Sequence, residues 1–249
     1  MPSEPLKGMK VKVYPDYKSM SRAAADLISA YIKEKPNSLI CLASGHSPLG
    51  VFQCLVDDVR SGRLNLEKCA FVSLDEWVGI DASQKGSCRE MMDKDLFIPL
   101  AIKEHQIIFF DGMDADPKGQ IDKVNERIEA NGGLDIMLVG VGLNGHIAMN
   151  EPGTSFDSVA HISTLAEETK TVGQKYFDTT TQLSQGITLG LKHLRDAKLP
   201  ILVANGEKKA SIVRKILTSS PSESLPASVM QLIDHGVVML DEAANSASN

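Results

Sequence analysis

Short runs of apolar residues alternate with longer amphipathic stretches along most of the chain. VKVY near the start, SLICLA (38 to 43), CAFVSL (69 to 74), IIFF (107 to 110), LDIMLVG (134 to 140), PILVA (200 to 204) and GVVML (236 to 240) are continuous and read as strands. Between them the period lengthens. Met20, Ala24, Leu27, Ile28, Tyr31 and Ile32 share a helical face before Pro36 stops it; Ile121, Val124 and Ile128 share another that ends at Asn131-Gly132-Gly133. Such alternation predicts an α/β fold, a mostly parallel sheet covered by helices on both faces and joined by right-handed crossovers. Ligands of such sheets collect at the carboxyl ends of the strands. With no repeat, low-complexity segment or interdomain linker, residues 1–249 read as a single α/β domain, with only the tail EAANSASN frayed.

Composition narrows the partners. At 43% hydrophobic and 23% charged residues the chain reads as soluble and globular, with no tract long enough to span a bilayer. A net charge of −6 without a basic cluster argues against nucleic acid and leaves small anions open, since a few local cations hold them. MPSEPLKGMKVKVYPDY lacks the apolar stretch of a secretory signal, so the expected location is cytoplasmic. Cys41, Cys54, Cys69 and Cys88 have neither C-x-x-C spacing nor a neighbouring His pair and read as buried reduced thiols; scattered histidines predict no metal.

Four strand ends carry candidate chemistry. After SLICLA, the small polar loop Ser44-Gly45-His46-Ser47 runs into a helix opened by Pro48, which suits either a phosphate on backbone N–H groups or an ordinary capped connection. After CAFVSL, Asp75 and Glu76 precede the single tryptophan, Trp77; Asp75 is either a general base raised by desolvation or a helix N-cap. After LDIMLVG comes GVGLNGHIAMNEPG. Its first six residues match the G-x-G-x-x-G of a dinucleotide turn, but HIAMNEPG continues it as a loop rather than a helix. That leaves Asn144, His146 and Glu151 together, either an acid-base group with its partners or a structural histidine. After PILVA, GEKKA sets Lys208 and Lys209 at a helix start, unfavourable beside the positive helix end unless an anion offsets them; Lys175 is a further cation.

Taken together, ASGHSP, SLDEWVG, GVGLNGHIAMNEPG, GITLGL and GEKKA, in that order, resemble the glucosamine-6-phosphate deaminase (isomerase) family, including its galactosamine-6-phosphate members. The resemblance covers nearly the whole chain and implies a modified Rossmann-like fold without cofactor or metal. It implies conversion of a phosphorylated amino sugar to a ketose phosphate and ammonia. Asp75 matches the base that moves a proton between C2 and C1, His146 the ring-opening group and Glu151 its carboxylate. Ser44, Gly45, His46 and Ser47 match the phosphate loop and Lys209 its lysine, while Lys175 stands where arginine is frequent.

This chain departs from the family pattern in places. Asn144 replaces an aspartate, so it orients His146 without supplying charge, and His46 replaces a small residue. The chain ends soon after GVVML, which predicts no amino-sugar allostery and leaves homo-oligomerisation open, and GSCRE (86 to 90) is similar to galactosamine-type members. The rival enzyme is 6-phosphogluconolactonase, which shares the fold and a G-x-G-x-x-G-H loop. Other readings are the sugar-phosphate-sensing module of a regulator, which needs a helix-turn-helix segment, and a binder that has lost catalysis.

Overall fold

A computed structural model describes residues 9–246. The chain runs β1 (Lys10–Tyr14), α1 (Tyr17–Glu34), β2 (Leu39–Leu42), α2 (Leu49–Arg60), β3 (Ala70–Val72), β4 (Asp75–Trp77), α3 (Cys88–Met92), β5 (Ile107–Ile108) and α4 (Pro117–Ala130). It continues β6 (Ile136–Val139), β7 (His161–Thr164), α5 (Glu167–Gly173), β8 (Gln185–Thr188), α6 (Leu191–Asp196), β9 (Leu199–Ala204), α7 (Ala210–Thr218), β10 (Val237–Asp241) and α8 (Glu242–Asn245). Seven strands form one sheet in the order β1-β10-β9-β6-β2-β3-β5, every pair parallel.

Residues in a strand alternate between faces, and both faces here are apolar because both are covered. Leu39 and Cys41 of β2 and Leu202 and Ala204 of β9 join Val124 and Ile128 of α4 and Val213 and Ile216 of α7. Ile40 and Leu42, with Ile201 and Val203, pack on the other side against Met20 and Ile28 of α1 and Val51 and Phe52 of α2. The expected mostly parallel, doubly covered sheet is therefore present, and all seven expected strands lie in it. IIFF is the shortest: only Ile107 and Ile108 pair, because Phe110 turns into the core and Phe109 packs against Phe97. The tail is less frayed than expected, since Glu242–Asn245 form α8, capped by the Asp241 carboxylate on the Ala244 N–H at 2.7 Å. The final residues 247–249 and the opening residues 1–8 lie outside the described residues.

The alternation of apolar runs does not foresee a second sheet, the antiparallel β4-β8-β7. Its strands are three or four residues long and partly polar, so none carries an apolar run. Asp75 of β4 pairs with Thr188, which pairs with His161 on its other side. A third core of Trp77, Ile80, Cys88, Met149, Leu165, Phe177 and Leu183 lies beneath it.

The strand order places the site. From β2 the chain moves outward to β3 and β5, then returns to lay β6 on the opposite flank of β2 and continues to β9. The connections after β2 and β6 diverge at this switch point and leave a crevice between them at their carboxyl ends.

Candidate active site

That crevice is a cleft of about 440 Å³. Ser44, Gly45, His46 and Ser47 form one end, Asp75 and Cys88 lie in its depth, and His146 and Lys209 face it from the loops after β6 and β9. Glu168, Thr169, Lys175 and Tyr176, from α5 and the short 3-10 turn that follows it, close the side away from the sheet.

The loop of residues 44–47 has the geometry of an anion site. Gly45 adopts φ +101°, open to glycine, and a Cβ there would lie 3.2 Å from the Tyr176 hydroxyl. Among the described residues, no acceptor meets the backbone N–H of Ser44, Gly45, His46 or Ser47. Four successive free donors beside the start of α2 are a ready-made cradle for an anion. The expected Lys208-Lys209 helix start is a 3-10 turn, Glu207–Lys209, leading into α7. Lys209 reaches from there across the cleft mouth and donates from Nζ to the Val141 carbonyl at 2.6 Å. Burial lowers its pKa, with Glu168 acting against that shift. Lys175 and Lys208 also line the cleft and are exposed. The His46 ring leans on Tyr176, centroids 5.5 Å apart.

Only two residues, Ser73 and Leu74, separate Asp75, which opens β4, from the end of β3, and its carboxyl lines the cleft. It does not cap a helix. The N-cap of α3 is Ser87, whose hydroxyl accepts from the Glu90 N–H at 2.9 Å. Glu76, on the opposite face of the strand from Asp75, supplements it: its carboxylate accepts from the N–H of Trp77 at 2.8 Å and of Cys88 and Arg89 at 2.9 Å each, at the start of α3. Burial raises Asp75 to about 6, the neighbouring Cys88 thiol working in the opposite direction. Burial also raises Glu76 to about 7 against its three N–H donors.

The stretch after β6 enters no helix, so no dinucleotide turn forms. Gly145 takes φ +88°, Ile147 and Asn150 bridge antiparallel, and the Gly142 N–H donates back to the His146 carbonyl at 2.9 Å. A Cβ at position 142 would lie 2.2 Å from Cε1 of His146, so Gly142 leaves the space that the imidazole fills.

Asn144 and Glu151 stand behind that imidazole and do not line the cleft. Asn144 Oδ1 accepts from the His146 backbone N–H at 3.0 Å and lies 2.7 Å from Nδ1, while its Nδ2 donates to Glu151 Oε2 at 3.0 Å. An amide oxygen facing Nδ1 requires the proton there, which leaves Nε2 as the acceptor. Thr169 Oγ1 lies 3.2 Å from the same Nδ1, and Glu151 Oε1 accepts from the Ala166 N–H at 3.2 Å. Burial lowers the pKa of His146 most, Glu151 opposes that shift, and Lys209 adds to it.

Thus the sequence-derived residues converge, eight in the cleft wall and two behind His146. Sequence reasoning missed Thr169 and Tyr176. They flank Lys175, and a strand-end search overlooks them because they lie on a connection between two unforeseen strands. Cys88, noted in GSCRE only for its likeness to other chains, sits against Asp75. Of the cysteines, Cys54 alone is half-buried rather than buried.

A parallel sheet with a cleft at its switch point, lined by a loop of unpartnered N–H groups, a buried carboxyl and a histidine, is the arrangement of an α/β protein built to take a small anionic ligand. The chain belongs to the family described as glucosamine-6-phosphate isomerases/6-phosphogluconolactonase, whose pattern matches residues 16–239. It is 38% identical to a glucosamine-6-phosphate deaminase of Lysinibacillus sphaericus over 92% of this chain and 95% of that one. A solved structure described as a monomeric glucosamine-6-phosphate deaminase superposes with a TM-score of 0.92 at 32% identity, covering 96% of this chain and 100% of the other. The 6-phosphogluconolactonase of Trypanosoma brucei shares the fold, with a TM-score of 0.76 at 18% identity over 96% of this chain and 98% of its own.

Proposed function

We propose that this chain isomerises and deaminates an amino sugar 6-phosphate, glucosamine or galactosamine 6-phosphate, to a ketose 6-phosphate and ammonia. The observation that carries the reading is Asp75: a carboxyl turned into the cleft, with a pKa of about 6, facing the same space as a histidine whose Nε2 is free. Lactone hydrolysis has no use for a second proton carrier at a sugar C2. The 31 to 38% identity to curated deaminases over most of the chain supports the same choice.

In this reading the phosphate lies on the N–H groups of residues 44–47, with Lys209 and Lys175 supplying positive charge. His146 Nε2 takes the proton of the C1 hydroxyl and returns one to the ring oxygen, opening the sugar. Asp75 then removes the C2 proton while the C1 oxygen is protonated, giving an enolamine. The proton goes back to C1, leaving an iminium at C2; water adds and ammonia departs. Asn144 and Glu151 hold His146 in the required tautomer. No step calls for a metal or nucleotide.

The proposed enzyme is a single α/β domain. One solved relative is described as monomeric, which supports activity as a monomer. No helix among the described residues is long and apolar enough to cross a membrane, and the reading keeps the cytoplasmic location expected above. The test is a side-by-side assay of both epimers for ammonia release without added metal or nucleotide. At least one is turned over; release from neither, alongside brisk hydrolysis of 6-phosphogluconolactone, overturns the proposal.

A further inference from the structure

The loop of residues 44–47 is held from below by a side chain that takes no part in the cleft wall. Helix α2 begins after Pro48, which offers neither a side-chain oxygen nor an N–H for capping. The cap comes from another element. Gly50, at the second position of α2, donates its N–H to the hydroxyl of Tyr17 at 2.7 Å. That hydroxyl lies 3.1 Å from the carbonyl of His46 and 3.1 Å from the carbonyl of Ser47, positioned to donate its own proton to them.

Resting on the phosphate reading above, we infer that Tyr17 is a positioning residue that aims the anion loop at the phosphate of the substrate. A peptide group is planar and trans, so its carbonyl and N–H point in opposite directions. Drawing the His46 carbonyl down to Tyr17 turns the N–H of Ser47 up, away from α1. Gly50 makes the reach feasible: a Cβ at that position would fall 3.0 Å from Cζ of Tyr17 and 2.3 Å from Oγ of Ser21, so any larger residue would push α1 and α2 apart. Above the loop, Tyr176 approaches Gly45 and His46. The segment is therefore gripped on both sides, and the Ser47 N–H, which has no acceptor, is held turned away from α1. Without the Tyr17 hydroxyl, Gly50 loses its acceptor, the Ser47 carbonyl loses its donor, the His46 carbonyl keeps only the long bond from the Leu49 N–H at 3.4 Å, and the His46–Ser47 peptide group is freer to rotate.

Tyr17→Phe tests this, because it keeps the ring that packs between the helices and removes only the hydroxyl. The expected result is a KM for the amino sugar 6-phosphate raised about five- to tenfold, the worth of a hydrogen bond or two. The inhibition constant of inorganic phosphate rises by the same factor, kcat stays within about twofold, and slow turnover of the unphosphorylated amino sugar is unchanged. A wild-type KM and phosphate constant overturn the inference. So does an equal fall in kcat/KM for the phosphorylated and unphosphorylated sugars, which marks general structural damage. Lys209→Ala in the same assays reports on the site reading alone. An unchanged phosphate constant there sinks that reading, whereas a raised one beside a wild-type Tyr17→Phe overturns only the inference.

Discussion

Asn144 faces His146 with its oxygen and Glu151 with its nitrogen, and this polarity decides what a neutral residue does beside the imidazole. Because the amide accepts at Nδ1, the imidazole presents a lone pair to the cleft at Nε2. In the proposed mechanism the charge that steadies an imidazolium comes from Glu151, 3.8 Å from Nδ1. Asn144→Asp brings a second negative charge into contact with the ring and raises the pKa of His146. The neutral base is then lost at a higher pH. In the wild type burial holds the imidazole below its ordinary value. In the variant the His146 ionisation moves up by about one unit, as a charge at this range does. An NMR titration of the His146 ring checks it, and an unmoved ionisation refutes the placement of residue 144 against Nδ1.

Among the elements, the loop after β6 shows what its glycines are for. Gly145 and Gly153 adopt positive φ, but Gly142 does not, so alanine is open to it by dihedral angle alone. What excludes alanine is the ring of His146, 2.2 Å from where the Cβ would sit. Gly142→Ala is therefore expected to push the imidazole aside and reduce kcat about a hundredfold, since small displacements of a reacting group cost that much. The midpoint of thermal unfolding, by contrast, moves little, because the ring yields rather than the backbone. A kcat near wild type shows that the ring has another place to go. Strands β2, β3, β6, β9 and β10 were legible because each is an apolar run largely buried on both faces; β1 is exposed and β5 half-buried, and these two were legible from their apolar runs alone. The strands β4, β7 and β8 were not, as their pairing joins residues as distant as Asp75, His161 and Thr188.

On the scale of the whole molecule, two buried carboxyls, Asp75 in the cleft and Glu76 behind it, weaken the fold at neutral pH. Asp75 and Glu76 have folded pKa values of about 6 and about 7, both above their ordinary ones. A raised acid binds its proton more tightly when folded, so its contribution to stability is present at low pH and lost as pH rises through the folded value. Asp75→Asn removes one such ionisation. At pH 8 it is expected to stabilise the protein by about 1 to 3 kcal/mol, towards the lower end because Asp75 is partly open to the cleft. The midpoint rises by several degrees. The gain shrinks as pH falls from about 6 towards 4, and thermal melts across that range measure it. The same variant loses exchange of the C2 proton with solvent. Persistent exchange, or a gain independent of pH, contradicts the role given to Asp75.

The sequence by itself determined the sheet, its helical cover and the polar strand ends, because hydrophobic periodicity and turn residues act over a few positions and survive without tertiary context. It also placed Asp75, His146, Ser44 and Lys209 at strand ends that α/β topology brings together. Only the tertiary structure decided that Glu76, rather than Asp75, meets the N–H groups of Cys88 and Arg89 at the start of α3 and that Asn144 sets the tautomer of His146. It alone revealed that Tyr17 caps α2. Each of these depends on where a hydrogen-bonding atom points and which neighbour lies within about 3 Å of it. Neighbouring side chains on one strand face opposite ways, and a hydroxyl meets a helix tens of residues further along the chain; neither leaves a periodic trace.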